Sequence, residues 1–190
     1  MTALRKHKMT VDDFLAWAPT QEGRWELFDG VPVAMSPERV IHGRVKLRVA
    51  NALERAIQAA ALPCQALLDS AGVRIDRYRS YQPDALVYCG AVLPDDALEG
   101  PNPVVVVEVL SPSNAMKDLR DKLQGYFCVP SIVHYVIVDP DKRIVIHHAR
   151  GGGDAIATRI LSDASLRLDP PHIELAVPDL FPAEQVPGSA

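Results

Sequence analysis

The run Val104-Val105-Val106-Val107-Glu108-Val109-Leu110 constrains what this chain can fold into more than any other segment. It sets one carboxylate inside an otherwise apolar stretch of strong β preference. A strand covered on one face would alternate apolar and polar residues. A run this uniform therefore reads as a central strand buried on both faces. A lone charge there costs several kcal/mol unless something offsets it. Glu108 needs a partner, and a divalent cation is a natural one for a hard oxygen ligand.

The remainder of the chain can supply the cover. Its 190 residues, 48% hydrophobic and 23% charged, suit one globular domain with a substantial core. One domain over residues 1–190 is expected, with 1–9 and 182–190 as frayed termini. No apolar run is long enough to span a bilayer, so no membrane partner is expected. Residues 1–8 are polar and basic, unlike a signal peptide. Cys64, Cys89 and Cys128 form no CxxC pair. Neither a zinc site nor a disulfide framework is expected, in keeping with a reducing cytoplasm. The net charge of −4 leaves any nucleic-acid binding to a local basic patch.

Turn and capping signals divide the chain. Thr10-Val11-Asp12-Asp13 reads as a capping box opening a short helix anchored by Phe14, Leu15 and Trp17. Residues 25–28 and 31–35 read as a hairpin across Asp29-Gly30. Over 37–61 the apolar residues Ile41, Val45, Val49, Leu53 and Ile57 recur every four positions, the stripe of a long helix. Strands are predicted at 65–68, 72–75 and 84–88. After the central strand, Ser111-Pro112-Ser113-Asn114 stops the run and caps a helix to about residue 127. A hairpin over 132–138 and 143–148 turns on Asp139-Pro140-Asp141, and short strands follow at 155–161, 166–168 and 173–176.

Asp84 lies at the start of its strand and Glu108 near the end of its own. If the two strands are antiparallel neighbours, the carboxylates sit side by side. Like charges that close repel, and Mg²⁺ or Mn²⁺ between them removes the conflict. The alternative is that Asp84 is a turn residue after Pro83 and Glu108 points outward. Lys122 lies on the helix that leaves Glu108's strand. A long side chain there reaches back toward the site, to orient water or offset charge on a phosphorane-like transition state. The alternative is an exposed ion pair with Asp118, four residues earlier. Arg44, Arg48 and Arg55, with Lys46 close by, lie near one row of the long helix. They either track phosphates or form a solvated face. The basic arm at 5–8 carries the same ambiguity, and His147-His148 reads as a solvent-facing strand end.

Taken together, the segments Glu26-Leu27-Phe28-Asp29-Gly30, Met35-Ser36-Pro37, His42, Gln82-Pro83-Asp84, Glu108 to Ser113, Asp118 to Leu123, Tyr126 and Val136 to Pro140 resemble the Uma2 (DUF820) family of restriction-endonuclease-like proteins. The resemblance runs from about residue 10 to 181. It implies an α/β (α+β) fold of the PD-(D/E)xK type, a central mixed β-sheet flanked by helices. It implies a metal held by Asp84 and Glu108, with the backbone carbonyl of Val109 as a further ligand. Glu26 resembles the additional acid that an upstream element gives such sites. The lysine usual two residues after the acid is replaced here by Leu110, and the family's helical lysine matches Lys122. His42 matches a family position whose role stays open between general base, phosphate contact and structural histidine.

The activity implied is Mg²⁺- or Mn²⁺-dependent hydrolysis of nucleic-acid phosphodiesters, DNA first, in a cytoplasmic protein. Nucleases of this fold often pair as homodimers, and Trp17 and Trp25 offer an apolar region for it, although core packing accounts for both. Two alternatives stand beside this: a nucleic-acid-binding module that keeps the fold without catalysis, favoured by Leu110 and the net charge, and an interaction protein with a vestigial site. No serine has a nucleophile-elbow context and no cysteine an evident histidine partner.

Overall fold

The computed structural model describes residues 8–111 and 116–183, with side chains for all of these except 116–118. The expected Ser113–Asn114 cap, the side chain of Asp118, the arm at 5–7 and the tail at 184–190 lie outside the described residues.

The central strand forms as the apolar run requires. β7 (Val105–Val109) is buried throughout. It lies inside a six-stranded sheet between β6 (Ala85–Cys89) and β8 (His134–Asp139). β3 (Cys64–Leu68) flanks β6 on one side, and β9 (Ile144–Arg150) and β10 (Ile156–Leu161) extend the other. β7 and β8 are parallel and the remaining pairs antiparallel, so the sheet is mixed. The parallel pair is joined through α3 (Met116–Cys128), as a same-direction return demands.

Side-chain alternation on β7 assigns the two faces. Val105, Val107 and Val109 point to the side covered by α2 (Val40–Ala59). Val106 points to the side where Leu119, Leu123 and Tyr126 of α3 pack with Tyr135. By the same period of two, Glu108 falls on the α3 face. On α2, Val45, Val49, Leu53 and Ile57 are buried and Ile41 half-buried, in the predicted stripe. The helix begins at Val40, three residues later than expected from position 37. Its apolar layer also takes in the hairpin of β11 (Ser165–Leu168) and β12 (Ile173–Ala176).

A second, four-stranded sheet brings the N-terminal hairpin to the end of the first. α1 (Val11–Trp17) carries the predicted capping box of Thr10 and Asp13. β1 (Trp25–Phe28) and β2 (Val31–Ala34) turn on Asp29 and Gly30, whose φ values of 48° and 79° are those of a tight hairpin turn. β4 (Val73–Asp76) and β5 (Arg79–Tyr81) complete the order β2-β1-β5-β4. β5 has no counterpart in the sequence reading. Its three residues are too few and too polar to show a period. Trp17 and Trp25 pack edge to face with centroids 5.1 Å apart beside Phe14, so they serve a small core of their own. The Met9 N–H donates to the Gly30 carbonyl, and Arg143 donates to that of Pro182.

Two expectations need correction. The antiparallel register of β3 and β6 places Cys64 opposite Cys89, and the two form a disulfide with Cα atoms 3.8 Å apart. Sequence spacing hid the pair, because cross-strand neighbours need no motif. The cysteine-based argument for a reducing compartment is withdrawn with it. His147 is also not solvent-facing. It lies buried within β9, with Nε2 2.9 Å from Nδ1 of His134 on β8, while His148 reaches Thr158 on β10.

The disulfide closes a loop between positions 25 apart in sequence, for which chain entropy gives about 3.5 kcal/mol. Thiol titration of unreduced, denatured protein is expected to find Cys128 alone. Cys64→Ser paired with Cys89→Ser is expected to lower unfolding stability by about 2–4 kcal/mol. Three titratable thiols in the unreduced protein would contradict the bond.

Candidate active site

β6 and β7 carry the two central carboxylates to one place. Ala85 pairs with Val107 across the antiparallel ladder, so Asp84, the residue before β6, arrives at the level of Glu108, close enough to feel its charge. Both are buried. Asp84 Oδ2 accepts from the backbone N–H of Val109 at 2.6 Å, which ties the strand entrance to the strand exit. The turn-residue and outward-pointing alternatives therefore do not hold.

Glu26 enters from β1. Its Oε1 accepts from the backbone N–H of Gln82 at 2.8 Å, a bond made possible because β5 pairs with β1 and leads directly into Gln82. Lys122 is only 4% exposed, and its Nζ stands 2.9 Å from Glu26 and 3.0 Å from Glu108. An exposed surface pair does not describe it. Tyr126, one turn further along α3, donates to Glu108 Oε1 at 2.6 Å. The α3 stripe thus places a cation and a hydroxyl on the carboxylate that β7 buries.

His42 is buried at the edge of the site. Its Nε2 meets the carbonyl oxygen of Leu110, and its Nδ1 has no hydrogen-bond partner among the described residues. The Leu110 side chain packs in the α3-side core, away from the lysine role its position usually has in the superfamily.

Lys46 differs from its sequence reading. It is 2% exposed and does not belong to the arginine row. Its Nζ lies 2.7 Å from Asp84 and 3.0 Å from Asp69, and it also pairs with Glu38. Arg24 joins the same group, 2.9 Å from Asp69 and 3.3 Å from Glu38. The sequence reading singled out none of Arg24, Glu38 and Asp69. A signal for Lys46 existed: it follows His42 by four and precedes Val49 by three, so it is a charge inside the buried stripe of α2. Asp69 and Glu38 sit in connecting segments, where no periodicity marks them.

The charges do not balance. Among the described residues, five carboxylates (Glu26, Glu38, Asp69, Asp84 and Glu108) face three cations (Arg24, Lys46 and Lys122), which leaves two negative charges in excess when all are ionised. Burial, and then the neighbouring charge of Glu108, push the Asp84 carboxyl up to about 6, against the pull of Lys46 and the Val109 N–H. Burial also holds Glu108 above the usual carboxylate range. Glu26 adds to that rise, while Lys122 and Tyr126 oppose it. Burial works against the charge of Lys46, yet Asp84, Glu38 and Asp69 together keep it above the ordinary lysine value. Lys46 and Asp84 both rise because Lys46 answers to three carboxylates, whereas Asp84 also faces Glu108.

This donor set fits a divalent cation. It offers hard carboxylate oxygens on adjacent strands, an excess of two negative charges, and carboxyls whose ionised forms lack compensation. Oxygen atoms of Glu38, Asp69 and Asp84 also lie within 4.8 Å of one another. A cavity of about 250 Å³ opens alongside, lined by Arg24, Trp25, Ser80, Tyr81 and Gln82 among others.

A mixed sheet flanked by helices, with carboxylates meeting where β6 begins and β7 ends, defines a restriction-endonuclease-like protein. The crystal structure of a "putative nuclease belonging to DUF820" from Anabaena variabilis has the same fold, with a TM-score of 0.71 at 18% identity over 90% of this chain and 97% of that one. An uncharacterized protein of Synechocystis sp. is 24% identical over 92% of both chains. The Uma2 family, described as "Putative restriction endonuclease", matches residues 11–181, and the chain belongs to it. No helix among the described residues is long and apolar enough to cross a membrane.

The rise of Asp84 has a signed consequence for stability. A carboxyl held above its unfolded value weakens the fold when ionised and stops doing so as the pH falls and it protonates. Metal-free Asp84→Asn is therefore expected to exceed wild type in urea stability at pH 8, by about 1–3 kcal/mol. The gap should close as the pH drops from about 6 toward 4. A variant weaker than wild type at pH 8 would show that the pairing with Lys46 outweighs the buried charge.

Proposed function

We propose that this protein is a metal-dependent endonuclease that hydrolyses nucleic-acid phosphodiesters, with DNA as the first substrate to test. The observation that carries the proposal is the buried juxtaposition of Asp84 and Glu108 in a cluster two positive charges short of balance among the described residues. Asp84 and Glu108, with Glu26 and the Val109 carbonyl, are the groups that would hold Mg²⁺ or Mn²⁺. When bound, such an ion polarises a phosphoryl oxygen and acidifies water.

The chain's own residues supply the rest. Lys122, set between Glu26 and Glu108, orients both and offers N–H groups to negative charge developing on the phosphoryl oxygens. Tyr126 fixes the rotamer of Glu108 through its hydroxyl. Lys46 holds Asp84 from the opposite face of the sheet. His42 steadies the end of β7 by donating from Nε2 to the Leu110 carbonyl, and its buried Nδ1, without a partner among the described residues, is left to accept from a water. Water adds to phosphorus as the P–O bond to the leaving nucleotide breaks, the water giving a proton to solvent and the leaving oxygen taking one up. A homodimeric state belongs to the same proposal.

One observation favours a second reading, a nucleic-acid-binding module without catalysis. Both lysine ammonium groups already rest on the carboxylates, and Leu110 stands where the superfamily lysine usually does.

Cleavage of duplex DNA, single-stranded DNA and RNA with Mg²⁺ or Mn²⁺ separates the two. Wild type is expected to cut, and Glu108→Gln to lose activity by about 100-fold or more with its fold intact, given that even groups behind metal ligands are worth 10- to 100-fold. Absence of cutting by a folded wild type across the panel would favour the binding module. Calorimetric Mn²⁺ affinity is expected to fall about tenfold per pH unit below about 6, as protons compete for Asp84. A flat profile down to pH 5 would place the metal elsewhere.

A further inference from the structure

The outer face of α2 presents an arginine row that the site does not use. Arg44, Arg48 and Arg55 are exposed, with Asn51 and Leu47 between them, and Leu47 is 55% exposed. They line a groove of about 490 Å³ against Asp179. Arg24, Arg39, Arg74 and Arg79 are matched by acids: Arg24 with Glu38, Arg39 with Asp141, Arg74 with Asp12 and Glu99, and Arg79 with Asp76. Arg120, Arg150, Arg159 and Arg167 have no acid partner among the described residues but lie on four different elements, so they form no row along one helix. Among the described residues Arg44, Arg48 and Arg55 have no carboxylate partner. Arg48 instead donates to the backbone carbonyl of Asp179 at 3.5 Å.

We infer that this groove is a binding track for the sugar–phosphate backbone of a nucleic-acid strand. The inference rests on the proposed action on nucleic acid and names the surface that holds it. A chain of net charge −4 repels a polyanion as a whole, so binding needs a local strip of unpaired cations. The strip is linear. At 1.5 Å per residue, Arg44 to Arg55 spans about 16 Å, and phosphates recur about every 3.4 Å of duplex axis along each strand, so the row covers about five. The planar guanidinium forks suit phosphate oxygens, Asn51 adds an amide, and the exposed Leu47 gives apolar cover for sugars. The row also has a direction. Arg44 sits beside the turn of α2 that carries His42 and Lys46 inward, so the track starts level with the carboxylates and runs away from them. A strand bound along it is anchored on one side of the scissile position without occupying the site.

The test compares wild type with Arg44→Gln, Arg48→Gln and Arg55→Gln combined, all at exposed positions. Binding of fluorescent 20-mers, duplex and single-stranded, is read by anisotropy in EDTA across a KCl series, and hydrolysis of bis(p-nitrophenyl) phosphate is read with Mn²⁺. The expected result is an affinity loss of about tenfold or more and a log–log salt slope shallower by about two to three, with hydrolysis of the small diester unchanged. Equal affinity and slope in the two proteins would overturn the track and leave the catalytic proposal standing. Wild type that binds neither oligonucleotide while still hydrolysing the small diester would overturn the nucleic-acid partner, and the track with it. Loss of diester hydrolysis in the triple variant would overturn the separation of track from site.

Discussion

The burial of Glu108 on the α3 face of β7 is the constraint on which the rest of the structure depends. A carboxylate inside a mixed sheet is tolerable only if it is supplied with charge and hydrogen bonds. Three separate parts of the chain supply them. α3 brings Lys122 and Tyr126. β1 brings Glu26, which shares Lys122. The start of β6 brings Asp84, tied to β7 through the Val109 N–H. The second sheet, otherwise peripheral, has its reason here. Without the pairing of β5 to β1, neither Glu26 nor Gln82 would meet at this point.

The two lysines divide the work by layer. α2 and α3 cover opposite faces of the six-stranded sheet, and each turns one lysine inward at the same end of it. Lys46 answers to the outer acids Glu38 and Asp69 as well as to Asp84, and Lys122 answers to Glu26 and Glu108. Even so, the cluster stays short of positive charge, and Asp84 and Glu108 both titrate above the usual carboxylate range. A site that leaves its own acids under-compensated carries a cost in stability, which the proposed cation would offset. This also bears on Leu110. Loss of a lysine from β7 itself does not empty the site of ammonium groups, because both helices supply one.

Much of this was legible in the chain before any coordinates. The uniform run around Glu108 marked the central strand, and the Asp-Gly turn and the four-residue stripe of α2 located the first hairpin and the long helix. These are local or periodic signals, and the backbone obeys them. Asp84, Glu108 and Lys122 were picked out by their places in the strands and the following helix, Glu26 only through resemblance to Uma2 proteins, and the fold brings all four together. Lys46 was missed although it interrupts an apolar stripe much as Glu108 interrupts an apolar run. It was read with the exposed arginines near it instead of by its own helical phase.

The sequence by itself determined most of the strands and the helices, though not β5, which face of the longer ones is apolar, and that one buried acid needs company. Those properties follow from side-chain periodicity and from the cost of desolvating charge. Only the tertiary structure decided which groups answer that acid. The register of β3 on β6 paired Cys64 with Cys89, and that of β9 on β8 set His147 against His134. Docking of α2 turned Lys46 inward and left Arg44, Arg48 and Arg55 outside, and loops with no period delivered Glu38 and Asp69. Contacts between residues far apart in the chain depend on how layers stack and strands align, and no local pattern encodes that.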